Sequence, residues 1–319
     1  MANKGSHLFQ ELTHQEIADL IQAHIGCGLR EYILQSGGLF NTTYKITADN
    51  GHRLILRVGP IRPELLMYYE KDMMTAEVFV FHAMEAAGIP CSHVVATGKV
   101  NDRDFMLVDY IDSFPMSGVS PSDAERERVM REAVDALSRL HQMTGPAYGR
   151  VAEVLCGRGH PDWYSHVLYE VETLMTQARA SGSFSAAEAE HLIDSIRHCK
   201  EALSEVNRPT LCHGDLWGGN ILVKQTEDGW HLAAIIDLDR ALFGDIDFDL
   251  SCPWFRHKDR FNEPRNSKNR RIRQAVYDML FYLYEAHVWY LQYDNKMHAD
   301  NSRRVVLQKA TALLQNQIQ

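Results

Sequence analysis

No two of the six cysteines, Cys27, Cys91, Cys156, Cys199, Cys212 and Cys252, form a C-x-x-C pair, which argues against both a zinc site and a disulfide framework. No apolar run reaches the ~20 residues that a bilayer-spanning helix needs. The most apolar late stretch, 275–291, is interrupted by Asp278, Glu285 and His287. Residues 1–11 contain no long apolar segment of the secretory type, so no signal is read there and a cytoplasmic location is expected. Positive charge is in deficit, with 33 Lys and Arg against 42 Asp and Glu and a net charge of -9. Nucleic acid is therefore not expected as a partner, because its phosphates call for a surplus of cations. Neither an internal repeat nor a low-complexity block interrupts the chain.

What is present suits a globular protein: 45% of residues are hydrophobic and 24% charged, with a mean hydropathy of -0.30. At 319 residues the chain is long enough for two packed lobes. Thr13-His14-Gln15-Glu16 is a capping box that opens an amphipathic helix with Ile17, Leu20, Ile21 and Ile25 on one face, and Gly26 offers a stop. Strand-like runs follow at 31–35, 42–47 and 53–58, the last two joined by the turn-forming Asp49-Asn50-Gly51. Residues 75–87 predict a helix ended by Gly88 and Pro90, and 105–111 a final short strand. Two further capping boxes, at Ser122 and Ser185, each open a long helical segment.

Chemistry concentrates at His213-Gly214-Asp215-Leu216-Trp217-Gly218-Gly219-Asn220, which sets an acid and an amide on one loop between apolar strands. After a predicted hairpin, Ile235-Ile236-Asp237-Leu238-Asp239 delivers a carboxylate at a strand end. A carboxylate to accept a hydroxyl proton and oxygen ligands for Mg²⁺ are the groups phosphoryl transfer requires. Upstream, Ser36-Gly37-Gly38-Leu39-Phe40-Asn41 joins two strands, and its glycines would let backbone N–H groups approach phosphate oxygens. Arg57 lies on the strand face opposite Leu54, Leu56 and Val58. Glu77 shares a helix side with Phe81 and Met84 and calls for a cation, for which Arg57 is the obvious partner.

The paired motifs, His213 to Asn220 followed by Asp237, resemble the aminoglycoside, macrolide and choline-type phosphotransferases, and the His213-to-Asn220 loop is also similar to that of the fructosamine kinases. The resemblance runs from about Ser36 to Leu250. It implies an α+β, bilobal protein-kinase-like fold, with a nucleotide-binding lobe over 1–108, a catalytic and substrate lobe over 109–319, and a hinge at 106–112. It implies Asp215 as catalytic base, Asn220 and Asp237 as Mg²⁺ ligands, and His213 as a brace for its loop. Ser36, Gly37, Gly38, Asn41, Arg57, Glu77, Val108 and Tyr110 would bind ATP or GTP, with Arg57 in the place of the more usual lysine. Asp239 would support the loop or add a metal contact, and Tyr110 would pack or stack on the base. The acceptor would be a hydroxylated small molecule, an antibiotic or a metabolite of the choline, homoserine or fructosamine kind; a nucleotide-binding pseudokinase is the non-enzymatic alternative. Five aspartates, Asp237, Asp239, Asp245, Asp247 and Asp249, crowd the proposed metal site and predict a negative field that favours a cationic acceptor.

Overall fold

The computed structural model describes residues 5–35, 40–253 and 267–317. The first helix, α1 (His14–Ile25), starts where Thr13 Oγ1 accepts the Glu16 N–H while the Glu16 carboxylate accepts the Thr13 N–H at 2.6 Å, and it stops at Gly26, whose φ is 76°. Ile17 and Ile21 are fully buried against a five-stranded antiparallel sheet. Its strands are β1 (Leu29–Leu34), β2 (Thr42–Ala48), β3 (Arg53–Val58), β4 (Val94–Val100) and β5 (Arg103–Asp109), in the order β1-β2-β3-β5-β4. Gly51, at φ 86°, closes the β2–β3 hairpin. The edge strand β4 is invisible to pattern reading because most of its residues keep partial or full exposure, so no period-two alternation survives.

One sheet face packs Tyr44, Ile46, Leu54, Leu56 and Val58 on α1. The other faces α2 (Met73–Ala86), whose Val80, Phe81 and Met84 belong to a core that continues into the helical part of the chain. Between β3 and α2, the two short turns Pro63–Leu65 and Tyr68–Glu70 form a strap. It is fastened to the helical part, with Met67 and Tyr69 buried there, Gln177 donating to the Leu66 carbonyl at 2.8 Å, and Gln292 donating to Glu70 at 2.7 Å.

After Asp109 the chain enters β6 (Phe114–Pro115), which pairs with β9 (Ile221–Thr226), itself hairpinned to β10 (Gly229–Ile235). A second three-stranded sheet joins β7 (Gly149–Arg150), β11 (Leu242–Gly244) and β8 (Thr210–Cys212). Around these small sheets lie α3 (Asp123–Leu140), α4 (Val151–Leu155), α5 (Trp163–Ser181), α6 (Ala186–His198), α7 (Lys200–Leu203), α8 (Asp247–Leu250), α9 (Lys268–His287) and α10 (Lys296–Leu314). Both capping boxes expected at Ser122 and Ser185 are formed, at the starts of α3 and α6. The molecule is α+β and bilobal, and no helix among the described residues is long and apolar enough to cross a membrane.

His287, the last residue of α9, is only 1% exposed and neither ring nitrogen has a hydrogen-bond partner. Burial alone pushes its pKa down, to about 4. The unfolded chain takes up a proton near the ordinary value of about 6.5, so this residue costs no stability above that pH and progressively more as the pH falls toward 4. His287→Leu is expected to flatten the acid limb of a urea-unfolding series, with the gap to the parent protein widening by about 2 kcal/mol between pH 8 and pH 5. Parallel pH dependences for the two proteins would show that the imidazole is already charged inside.

Candidate active site

The loop after β8 is built by backbone commitments. Asp249, 1% exposed, accepts the His213 N–H at 2.9 Å with one oxygen and the Gly214 N–H at 2.8 Å with the other, and His141 Nε2 lies 2.9 Å from it. Burial opposes ionisation of Asp249, but the hydrogen bonds it accepts from His141 and from the Gly214 N–H hold its carboxyl below the ordinary range. His141, Cys212 and Asp249 place one ligand atom each within 4.8 Å of one another. Because the aspartate is spent on two amides and an imidazole, this trio braces the loop.

His213 does the same from the other side. Its Nδ1 accepts the Asp215 N–H at 3.2 Å and its Nε2 donates to the Ile236 carbonyl at 3.0 Å, which fixes the tautomer and ties the loop to the end of β10. Gly214 has φ 84°, and a Cβ there would sit 2.2 Å from the Arg240 carbonyl. Only glycine allows this approach. Asn220 turns its Nδ2 inward to the Asp215 carbonyl at 2.8 Å, which leaves its Oδ1 as the outward-facing oxygen. The Asp215 carboxylate makes no hydrogen bond with any described residue. Burial pushes its pKa up, the Arg240 charge opposes this, and Asp237 reinforces it.

Asp237 follows β10 with φ 65°, an uncommon conformation for a residue other than glycine. That turn aims its carboxylate at the β3 cation, with Arg57 Nη2 2.7 Å from Asp237 Oδ1 and 3.5 Å from Asp239 Oδ2. The other arm of the Arg57 fork pairs with Glu77, which is fully buried. A lysine has a single point of charge, whereas the guanidinium spans all three carboxylates. Burial and the nearby Asp237 push Glu77 up, to about 7, against the pull of Arg57. Asp239, 8% exposed, is pushed up by burial and by the charges of Asp237 and Glu77.

Four of the residues singled out in the sequence thus meet from four different stretches of chain: Arg57 of β3 pairs with Glu77 of α2 and with Asp237 after β10, and Asp215, after β8, is close enough to feel Asp237. Asn220 is held to the Asp215 backbone. Ser36, Gly37 and Gly38 lie outside the described residues. Asn41 is buried beside the start of β2. Val108 is buried within β5, paired with Ile55 and Val94. Tyr110 gives its N–H to the Arg53 carbonyl at 3.0 Å, and Lys45 and Arg53 cover its ring. The Tyr110 amide is therefore not open to a purine edge. The next two residues, Ile111 and Asp112, donate to no described acceptor.

The downstream aspartates depart from the expected negative field. Arg270 holds Asp247 at 2.7 Å, and Arg273 and Tyr277 each hold Asp245 at 2.7 Å. With Asp249 spent on the loop, three of the five carboxylates are internally matched. Their partners come from α9, from the loop after β8 and from His141 just past α3, more than 20 residues away in sequence, where no local pattern could announce them.

A family model for the phosphotransferase enzyme family matches residues 33–278. A Staphylococcus aureus protein named as a probable ketoamine kinase is 26% identical over 230 residues, covering 70% of this chain and 72% of that one. A similarly named Enterococcus faecium protein is 24% identical over 199 residues, covering 59% and 64%. Among solved structures, a Haemophilus somnus protein assigned as a fructosamine-3-kinase superposes with a TM-score of 0.68 at 14% identity, over 94% of this chain and 97% of that one. An aminoglycoside phosphotransferase in a ternary complex with streptomycin and ATP gives 0.64 at 14% identity, over 95% and 99%. These structures share the bilobal, protein-kinase-like architecture. With a family match that spans most of its length, the chain belongs to the phosphotransferase enzyme family and is a small-molecule kinase.

Proposed function

We propose that the protein transfers the γ-phosphoryl group of ATP or GTP to a hydroxyl of a ketoamine, a sugar-derived amine. The observation that carries the transfer is the junction of Arg57, Glu77 and Asp237 beside an Asp215 carboxylate left without a partner among the described residues. The ketoamine reading is supported by the names of the two sequence relatives, and by the internal pairing of Asp245, Asp247 and Asp249, which removes much of the field that would have favoured a polycationic antibiotic.

The donor set suits Mg²⁺: the Asp237 carboxylate and the Asn220 amide oxygen are hard oxygen ligands at the ends of adjacent structural elements. Bound there, the ion would neutralise charge on the nucleotide phosphates. Asp215 orients the acceptor hydroxyl and takes its proton, and its raised pKa brings it closer to the working pH of a general base. Arg57, held by Glu77, positions the phosphates. Asn220 and His213 hold the Asp215 backbone still while this happens.

Turnover of a panel containing a ketoamine of glucose, choline, homoserine and two aminoglycosides, with ATP or GTP and with or without EDTA, tests the reading. The ketoamine is expected to show the highest kcat/KM, with activity abolished by EDTA. Faster turnover of an aminoglycoside or choline would replace the ketoamine assignment, and activity that survives EDTA would remove the metal from it.

A further inference from the structure

Arg240 follows Asp239 immediately, and its backbone is held from several sides. Arg150 Nη1 donates to its carbonyl at 3.0 Å, the Ala241 carbonyl accepts the Val151 N–H at 3.1 Å, and the same Arg240 carbonyl lies against Gly214 of the catalytic loop. Arg150 is itself locked by Glu170 and Tyr284. A rigid backbone would normally deliver an arginine to a partner. The Arg240 guanidinium, with five N–H donors, nevertheless makes neither a hydrogen bond nor an ion pair with any described residue.

The strap carries a second unmatched group. Glu70, 2% exposed, uses one carboxyl oxygen for Gln292 at 2.7 Å and the Met67 N–H at 2.8 Å. Its Oε1 is buried without a partner. Among charged groups, Arg240 acts most strongly both on Glu70 and on Asp215, and Tyr69, Asp215, Asp239 and Glu70 act on it in turn, so the guanidinium is near both the strap and Asp215. An unpaired five-donor cation and an unpaired acceptor oxygen beside the base are a costly pair to leave unsatisfied.

We propose that Arg240 is a specificity-determining residue that receives a carboxylate of the acceptor, with Glu70 Oε1 taking an N–H or O–H from the same molecule. The acceptor hydroxyl is thereby set against Asp215. A ketoamine formed from an amino acid has this chemistry, an amine N–H one carbon away from a carboxylate, and the forked guanidinium matches a carboxylate in a bidentate manner. The inference rests on the ketoamine reading for the scaffold only; the carboxylate contact is a separate claim.

Two matched pairs of acceptors test it: the glucose ketoamines of glycine and of glycinamide, and glucosamine with its 6-carboxylate counterpart. Each is assayed for kcat and KM with the parent protein, Arg240→Met and Arg240→Lys. The parent is expected to favour the carboxylate member by roughly tenfold or more in kcat/KM, mostly through KM, since a charge-assisted contact is at stake. Arg240→Met should erase the preference and Arg240→Lys should keep part of it. Each ratio is internal to one preparation, so partial unfolding cannot imitate the loss. A preference confined to the amino-sugar pair would retire the ketoamine reading and leave the Arg240 contact standing. Equal use of both members by the parent protein, a preference that survives in Arg240→Met, or an equal fall in kcat for both members overturns the contact.

Discussion

Asp215→Asn is expected to lower kcat by about a hundredfold or more while changing nucleotide affinity little. The structure makes this substitution unusually clean. The Asp215 backbone is what the loop uses: its N–H goes to His213 Nδ1 at 3.2 Å and its carbonyl accepts from Asn220 at 2.8 Å. The carboxylate holds nothing together among the described residues, so the amide can replace it without loosening the loop. What is lost is the capacity to accept a proton and to attract the acceptor hydroxyl. Burial lifts the Asp215 pKa, so the acid limb of the parent kcat profile should lie above the ordinary carboxylate range and should vanish in the variant. Stopped-flow nucleotide binding and steady-state turnover over pH 4–9 provide the check. Near-parental kcat would remove Asp215 from the chemistry altogether.

The second large effect is expected at the β3–α2 ion pair. Arg57→Met leaves Glu77, with no exposed surface, facing Asp237 and Asp239 without its cation. Breaking one side of a buried pair costs about 3–5 kcal/mol, and the orphaned Glu77 Oε2 already lacks a hydrogen-bond partner. Arg57→Met and Glu77→Gln should each weaken productive nucleotide binding and lower stability. The double variant should be less damaged than the sum, with a coupling of at least about 1 kcal/mol. Arg57→Lys keeps the charge but cannot fork, and should retain substantial turnover. A double-mutant cycle read by urea unfolding and by nucleotide titration decides the matter, and strict additivity in both would show that the two residues act independently.

Much of the fold follows from short-range signals. The three capping boxes at Thr13, Ser122 and Ser185 each start a helix, because the bonds that make them span only three residues. β3 begins and ends where its alternation does, at Arg53 and Val58. β4 escaped because an exposed edge has no buried face to reveal, and the bond from the Tyr110 N–H to the Arg53 carbonyl joins residues that sequence spacing does not connect.

For the site, the residue types and their order were enough to locate the loop, its carboxylates and the partnership of Arg57 with Glu77, because phosphoryl transfer restricts which groups can serve. Sequence alone, however, treats charge as a sum. Tertiary structure decides which charges remain available, since ion pairing depends on separations of a few ångström between elements far apart in the chain. It sets Arg270 and Arg273 from α9 against Asp247 and Asp245, takes both oxygens of Asp249 for the loop after β8, and leaves Arg240 without a partner among the described residues. An acidic segment thereby acquires, among the described residues, an unmatched cation as well as an unmatched carboxylate.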